Sequence, residues 1–137
     1  MDMTLDEIKD FLNRNDRFSR HNAMQLVALS KGYAEAEMEV TEQSLNGFDL
    51  AQGGAIFTLA DLALAGAANS HGIHAVAMNS TISYVRPGVN GKLRAIAREV
   101  NRGKRTGLYE IEVLNDQGKL VAKVTSTAFY LETRFSR

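Results

Sequence analysis

From Asn46 to Gly72 the chain reads NGFDLAQGGAIFTLADLALAGAANSHG, and no other segment constrains its fold as much. Two glycines, Gly53 and Gly54, open a run of strong helix formers rich in alanine, ending near Asn69 ahead of Gly72. At about 100° per residue, Gly54, Thr58, Asp61, Ala65 and Asn69 fall within an arc of about 80°. Every other position of the predicted helix is Ala, Leu, Ile, Phe or Gly. Such a helix is buried nearly all round and keeps one narrow polar stripe, with Asp61 as its only charge.

The flanking sequence supplies strands. YAEAEMEVT, residues 33–41, sets Ala34, Ala36, Met38 and Val40 on one face and Glu35, Glu37 and Glu39 on the other, the pattern of a half-buried strand. After the helix, AVAMNSTISYV runs into Arg86-Pro87-Gly88, where the only proline ends or bends a strand. KLRAIAREV follows, then the polar turn NRGKRTG, then LYEIEVL with Tyr109, Ile111 and Val113 opposite Glu110 and Glu112. NDQG has hairpin-turn composition, and LVAKVTSTAFYL closes the series. Four strands after one central helix, joined by short turns, predict an antiparallel sheet in an α+β fold. Thr4 and Glu7 have capping-box spacing ahead of Ile8, Phe11 and Leu12, so residues 1–22 read as an N-terminal helical segment. The 137 residues show no repeat or linker and are expected to form a single domain.

The chain carries no net charge, but the distribution is uneven. Seven bases lie between Arg86 and Arg105 (Arg86, Lys92, Arg94, Arg98, Arg102, Lys104 and Arg105) against one acid, Glu99. That excess suggests an anionic ligand, with a solvated strand face as the plainer reading for any single base. The region has no interleaved aromatics to stack bases, so nucleic acid is not an expected partner. No apolar run reaches the roughly 18 residues of a membrane span, and MDMTLDEIKD lacks the plan of a signal peptide. With no cysteine there is no disulfide or thiolate chemistry, which suits a cytoplasmic protein. His71 and His74 lack the further ligands of a zinc site, and no phosphate-binding glycine motif is present, so no metal or cofactor is expected.

A carboxylate on the stripe is expensive to bury unpaired, and burial raises its pKa. Asp61 is therefore a candidate general base or nucleophile, with a structural acid paired across an interface as the alternative. The free N–H groups at the helix start, aided by the dipole, would polarise a carbonyl oxygen as an oxyanion hole does, and Gly53 or Gly54 admits the substrate. Asp61 lies two turns on, roughly 11–12 Å away at 1.5 Å per residue. One helix cannot bring its own Asp61 and Gly53 to the same carbonyl, so the spacing argues for a site shared by two copies of the chain.

These residues resemble the helix motif of the hotdog-fold acyl-CoA thioesterases, in the phenylacetate-degradation (PaaI-like) branch. That motif reads roughly N-x(5)-HGG-x(6)-D, and Asn46, Gly53, Gly54 and Asp61 match it. The likeness spans about residues 23 to 131, including SYVRPG and NRGKRTG. It implies a sheet wrapped round one long helix, a homodimer with a continuous sheet, and often a homotetramer built as a dimer of dimers. It also implies hydrolysis of an acyl-CoA thioester without metal or cofactor. On that resemblance, the Gly53 N–H would bind the thioester carbonyl and the opposing subunit's Asp61 would serve as nucleophile or general base. Asn46 would position water or substrate, while Arg86, Lys104 and Arg105 match the region that meets the CoA phosphates.

The sequence departs from the motif twice. The histidine before the glycines is Gln52, which can hydrogen-bond but cannot titrate. The hydroxyl residue often found after the acid is Leu62, for which Thr58, Ser80, Thr81 or Ser83 could substitute. Hydrolysis of an aryl- or medium-chain acyl-CoA is the expected function. An acyl-CoA binding or sensing module with little turnover is the alternative, and a dehydratase, which usually wants a catalytic His, is a weaker third.

Overall fold

The computed structural model describes residues 1–137. Two short helices, α1 (Leu5–Asn15) and α2 (Arg17–His21), precede strands β1 (Met24–Ser30) and β2 (Tyr33–Val40). The long helix α3 (Gly53–Asn69) follows, and then β3 (Ile73–Tyr84), β4 (Gly91–Arg102), β5 (Thr106–Leu114) and β6 (Leu120–Arg134). The strands form one antiparallel sheet in the order β1-β2-β4-β5-β6-β3. Helix α3 packs across its inner face, which is the hotdog arrangement of an α+β fold.

The predicted helix and strands are all present, and the alternation of residues 33–40 buries Ala34, Ala36 and Met38 as expected. Tyr109, Ile111 and Val113 likewise point inward. MQLVALS, however, forms a strand that the sequence reading passed over, because only Met24 and Leu26 of β1 are fully buried. Its register slips between Leu26 and Ala28, beside Leu26, whose N–H and carbonyl are held by Asn13 of α1 at 2.8 and 2.9 Å. That two-way amide contact secures the N-terminal helices to the sheet, with Ile8 buried behind them. The expected capping box stands: the Glu7 amide donates to Thr4 Oγ1, and the Thr4 amide to Glu7 Oε1.

Helix α3 carries most of the core, with Leu59, Leu62, Leu64, Ala60, Ala63, Ala67 and Ala68 all buried. Gly66 allows it to lie close to the sheet: a Cβ there would come within 2.8 Å of Ala34 Cβ and Leu26 Cδ2. The helix ends where Asn69 turns its amide onto the chain, donating to the carbonyls of Ala65 and Ala75 and accepting from the Ala75 N–H. A polar network closes the same end of the sheet. His71 Nε2 lies 2.7 Å from Glu99 Oε1, the Tyr109 hydroxyl donates to the same oxygen at 3.0 Å, and the Tyr109 and Tyr130 hydroxyls are 2.7 Å apart. His74 instead meets Thr133 Oγ1 and the Phe135 ring, so the two histidines serve different contacts.

Candidate active site

The start of α3 is built around Gln52. Its backbone is extended, and its side-chain oxygen accepts from the amides of Gly54 and Ala55, the seat of an N-cap residue. A Cβ on Gly54 would fall 2.6 Å from that oxygen, so the second glycine makes room for the cap. The cap takes two of the amides that a helix start leaves open. The amide of Gly53 has no acceptor and remains the free donor at the positive end of the dipole.

Around Gly53 the chain forms a cleft of about 390 Å³, lined by Asn46, Gly53, Tyr84 and Arg86 among others. Asn46 Oδ1 accepts from the amides of Phe48 and Leu50 at 2.8 and 3.1 Å, so the side chain folds its own loop. Its Nδ2 makes no hydrogen bond. The loop is stapled to the turn after β3 through the Ala51 amide, which donates to the Gly88 carbonyl at 2.8 Å. Arg86 donates to the Leu120 carbonyl at 2.6 Å and faces the cleft.

Tyr84 was not singled out in the sequence. Its hydroxyl donates to the Gly53 carbonyl at 2.9 Å, and a Cβ on Gly53 would sit 3.2 Å from that oxygen. The first glycine thus admits the phenol as well as any ligand. The available signal was adjacency to Arg86 in SYVRPG, one strand end delivering both side chains to one cleft.

Asp61 stands elsewhere. It lines a separate cavity of about 310 Å³ with Leu64, Ala65, Ala68 and residues 75–77 of β3. The residue reaches the surface, yet its carboxylate has no hydrogen bond or ion pair. The packed, mostly apolar surroundings push its pKa up, and the negative charge of Asp16 adds to the rise. The polar stripe is accordingly open at Gly54 and Asp61 and closed at Asn69, which is buried.

The other hydroxyls near the stripe sort themselves by partner. Thr58 Oγ1 donates back to the Gly54 carbonyl at 2.8 Å, and Ser80 Oγ lies 2.6 Å from Ser126 Oγ. Leu62 is buried in the core and offers nothing to the open stripe. Thr81 and Ser83 on β3 have no side-chain partner.

The basic run also divides. Lys92, Arg94 and Arg98 pair with Glu37, Glu35 and Glu112 on the outer sheet face, the solvated-strand reading. Lys104 and Arg105 have no ion-pair partner and line a cavity of about 410 Å³ with Arg102, Phe129 and Tyr130. The chain therefore brings Asn46, Gly53 and Arg86 together, and holds Asp61 and the Lys104–Arg105 pair apart from them.

Residues 50–122 match the family described as the Thioesterase superfamily, which is more than half of the chain. The chain is also 43% identical over 109 residues to the acyl-coenzyme A thioesterase PaaI of Escherichia coli strain K12, covering 79% of this chain and 78% of that protein. The chain belongs to the thioesterase superfamily. It is a PaaI-like hotdog thioesterase, and so a thioester hydrolase. The structure of E. coli PaaI, a protein from the phenylacetic acid degradation operon, superposes with a TM-score of 0.89 at 37% identity, covering 93% of each chain. The structure of smu.793 from Streptococcus mutans UA159, bound to acetyl CoA, superposes at 0.77 with 34% identity, covering 82% of this chain and 91% of that one.

Proposed function

We propose that this thioesterase hydrolyses an aryl- or medium-chain acyl-CoA to the free acid and CoA, without metal or cofactor, at a site shared across a homodimer interface. The observation that carries this reading is the pairing of two unmet groups on one helix. Gly53 holds a free amide, and Asp61, about 12 Å further along by helical rise, holds a carboxylate with no partner. The E. coli relative acts on acyl-coenzyme A, and the S. mutans structure holds acetyl CoA, which supports the substrate class.

In this reading the thioester oxygen accepts from the Gly53 N–H at the dipole's positive end, so the charge developing there is stabilised. Asp61 of the partner subunit takes a proton from water as it attacks the carbonyl carbon, or attacks that carbon itself. When water attacks, the C–S bond breaks, CoA leaves as the thiolate and is protonated, and the acid is released. When Asp61 attacks, loss of the thiolate leaves an acyl–Asp61 anhydride, which water then cleaves to release the acid and restore the carboxylate. Label found in Asp61 after a single turnover in heavy-oxygen water identifies attack by Asp61, since water activated by a general base leaves its oxygen only in the acid. Asn46 Nδ2, free in the cleft, orients water or substrate, and Arg86, Lys104 and Arg105 supply positive charge for the CoA phosphates.

The edge of the sheet supports the dimer. Strand β3 runs 12 residues along one edge, with Val76 and Met78 51% and 63% exposed beside Asp61's cavity. An unpaired edge of that length invites a second copy, which would cover the acid and bring the facing β3 against it. The homotetramer implied by the family resemblance would pair two such dimers, and sedimentation velocity reads either state. The cap formed by Gln52 speaks for turnover rather than for a module that only binds: an amide oxygen fills that seat without needing to titrate.

A panel of acyl-CoAs, assayed by release of free thiol, tests the proposal. Asp61→Ala is expected to lose about 10²–10⁴-fold in kcat with the fold intact. If no thioester is cleaved faster by wild type than by that variant, the proposed reaction is wrong.

A further inference from the structure

One cavity is unused by the proposed reaction. It measures about 490 Å³, within the range of small-molecule pockets, and lies against the first two turns of α3. Gln52, Gly54, Ala55, Phe57 and Thr58 form its floor, while Met24, Leu45 and Phe18 contribute from other elements. None of its lining side chains is charged. The clefts holding Arg86, Asp61 and the Lys104–Arg105 pair each carry a formal charge. A polyanionic carrier belongs with the clefts that hold Arg86 and the Lys104–Arg105 pair, where the charge is positive, and an uncharged acyl tail with this one.

Phe18 is the outlying wall. It is 65% exposed, an expensive place for a ring unless something covers it. Its helix is not a loose tail: Asp16 accepts from the Ser19 amide at 3.0 Å, Ser19 is buried, and Asn13 fixes the preceding helix to β1. The α1–α2 junction also lies near enough to the stripe for the Asp16 charge to act on Asp61. The N-terminal segment is therefore held beside the start of α3, where the cavity reaches Gly54, the neighbour of Gly53 in the chain.

We propose that this cavity receives the distal part of the acyl group, and that Phe18 is the specificity-determining residue that limits its length. The inference rests on the acyl-CoA reading above. With the carbonyl at the Gly53 N–H, the tail runs past Gly54 between Phe57 and Phe18, and the ring of Phe18 stops it. Removing the ring lengthens the cavity, and a larger ring shortens it.

The test compares wild type, Phe18→Ala and Phe18→Trp on straight-chain acyl-CoAs of increasing length, with calorimetric binding of the matching non-hydrolysable thioethers. For Phe18→Ala, kcat/KM on the long chains relative to the shortest is expected to rise by about tenfold or more. Phe18→Trp moves the preference the other way. The thioether affinities follow the same shifts. If wild type cleaves acyl-CoAs and neither variant moves the chain-length preference, the cavity assignment is overturned and the proposed function stands. If nothing is cleaved but the affinities shift with Phe18, the hydrolase reading fails and the acyl pocket stands. If nothing is cleaved and the thioethers are not bound at all, both are overturned.

Discussion

Asp61 shows what one residue's environment settles. The carboxyl is pushed up first by the packed surface around it and then by Asp16, with no cation or donor to draw it back. A group whose folded pKa is raised binds more protons in the native than in the unfolded chain between its ordinary and raised values. Stability therefore falls as pH rises through that window. Asp61→Asn removes the cost, so it is expected to raise Tm at neutral pH, with the advantage shrinking as pH falls through that window and gone below the ordinary aspartate value. Thermal melts of both proteins across acidic and neutral pH measure it, and a constant difference would count against an unpaired carboxylate. The acid itself was legible in the sequence, being the only charge on a helix of otherwise apolar or small residues. Its lack of partners was not, because partners come from other elements. Tyr84 was hidden for the same reason: a tyrosine at a strand end says nothing of the carbonyl it will meet.

At the scale of the element, α3 was the clearest feature of the chain, and its limits Gly53 and Asn69 match the sequence reading. Gln52 illustrates what pattern alone left open. Compared with a family motif it is a missing histidine; seen against the helix it is an N-cap whose oxygen serves two amides. Gln52→Ala is expected to cost about 0.5–2 kcal/mol of stability, measured by chemical denaturation. The acid limb of the pH–rate profile is expected to stay where it was, since the amide never titrates. A shift of that limb would mean that Gln52 acts on Asp61. Strand β1 was illegible because its inward face is only partly covered, so no clean alternation survives. The basic run was legible as charge but not as function. Which bases pair on the outer face depends on cross-strand register, and register is fixed by the whole sheet.

For the whole molecule, the proposed reaction needs Gly53 and Asp61 at one carbonyl, and their separation along one helix asks for a second copy. Mixing two inactive variants tests it directly. Asp61→Ala lacks the acid, and Gly53→Val places bulk against Tyr84, where even a Cβ is tight. Refolded together, half the dimers are mixed and each holds one intact site, so activity is expected to return to about a quarter of wild type. If each active site took both groups from the same copy, mixing would restore nothing. The long edge of β3 carries a further consequence. Unpaired strands with exposed Val76, Met78 and Tyr84 stick to whatever presents backbone to them, including misfolded neighbours. On the proposed shared site, a lone copy would be a hazard in a crowded cell as well as an incomplete catalyst. Selection for quick encounter with its twin would act on this strand even if no substrate were ever present.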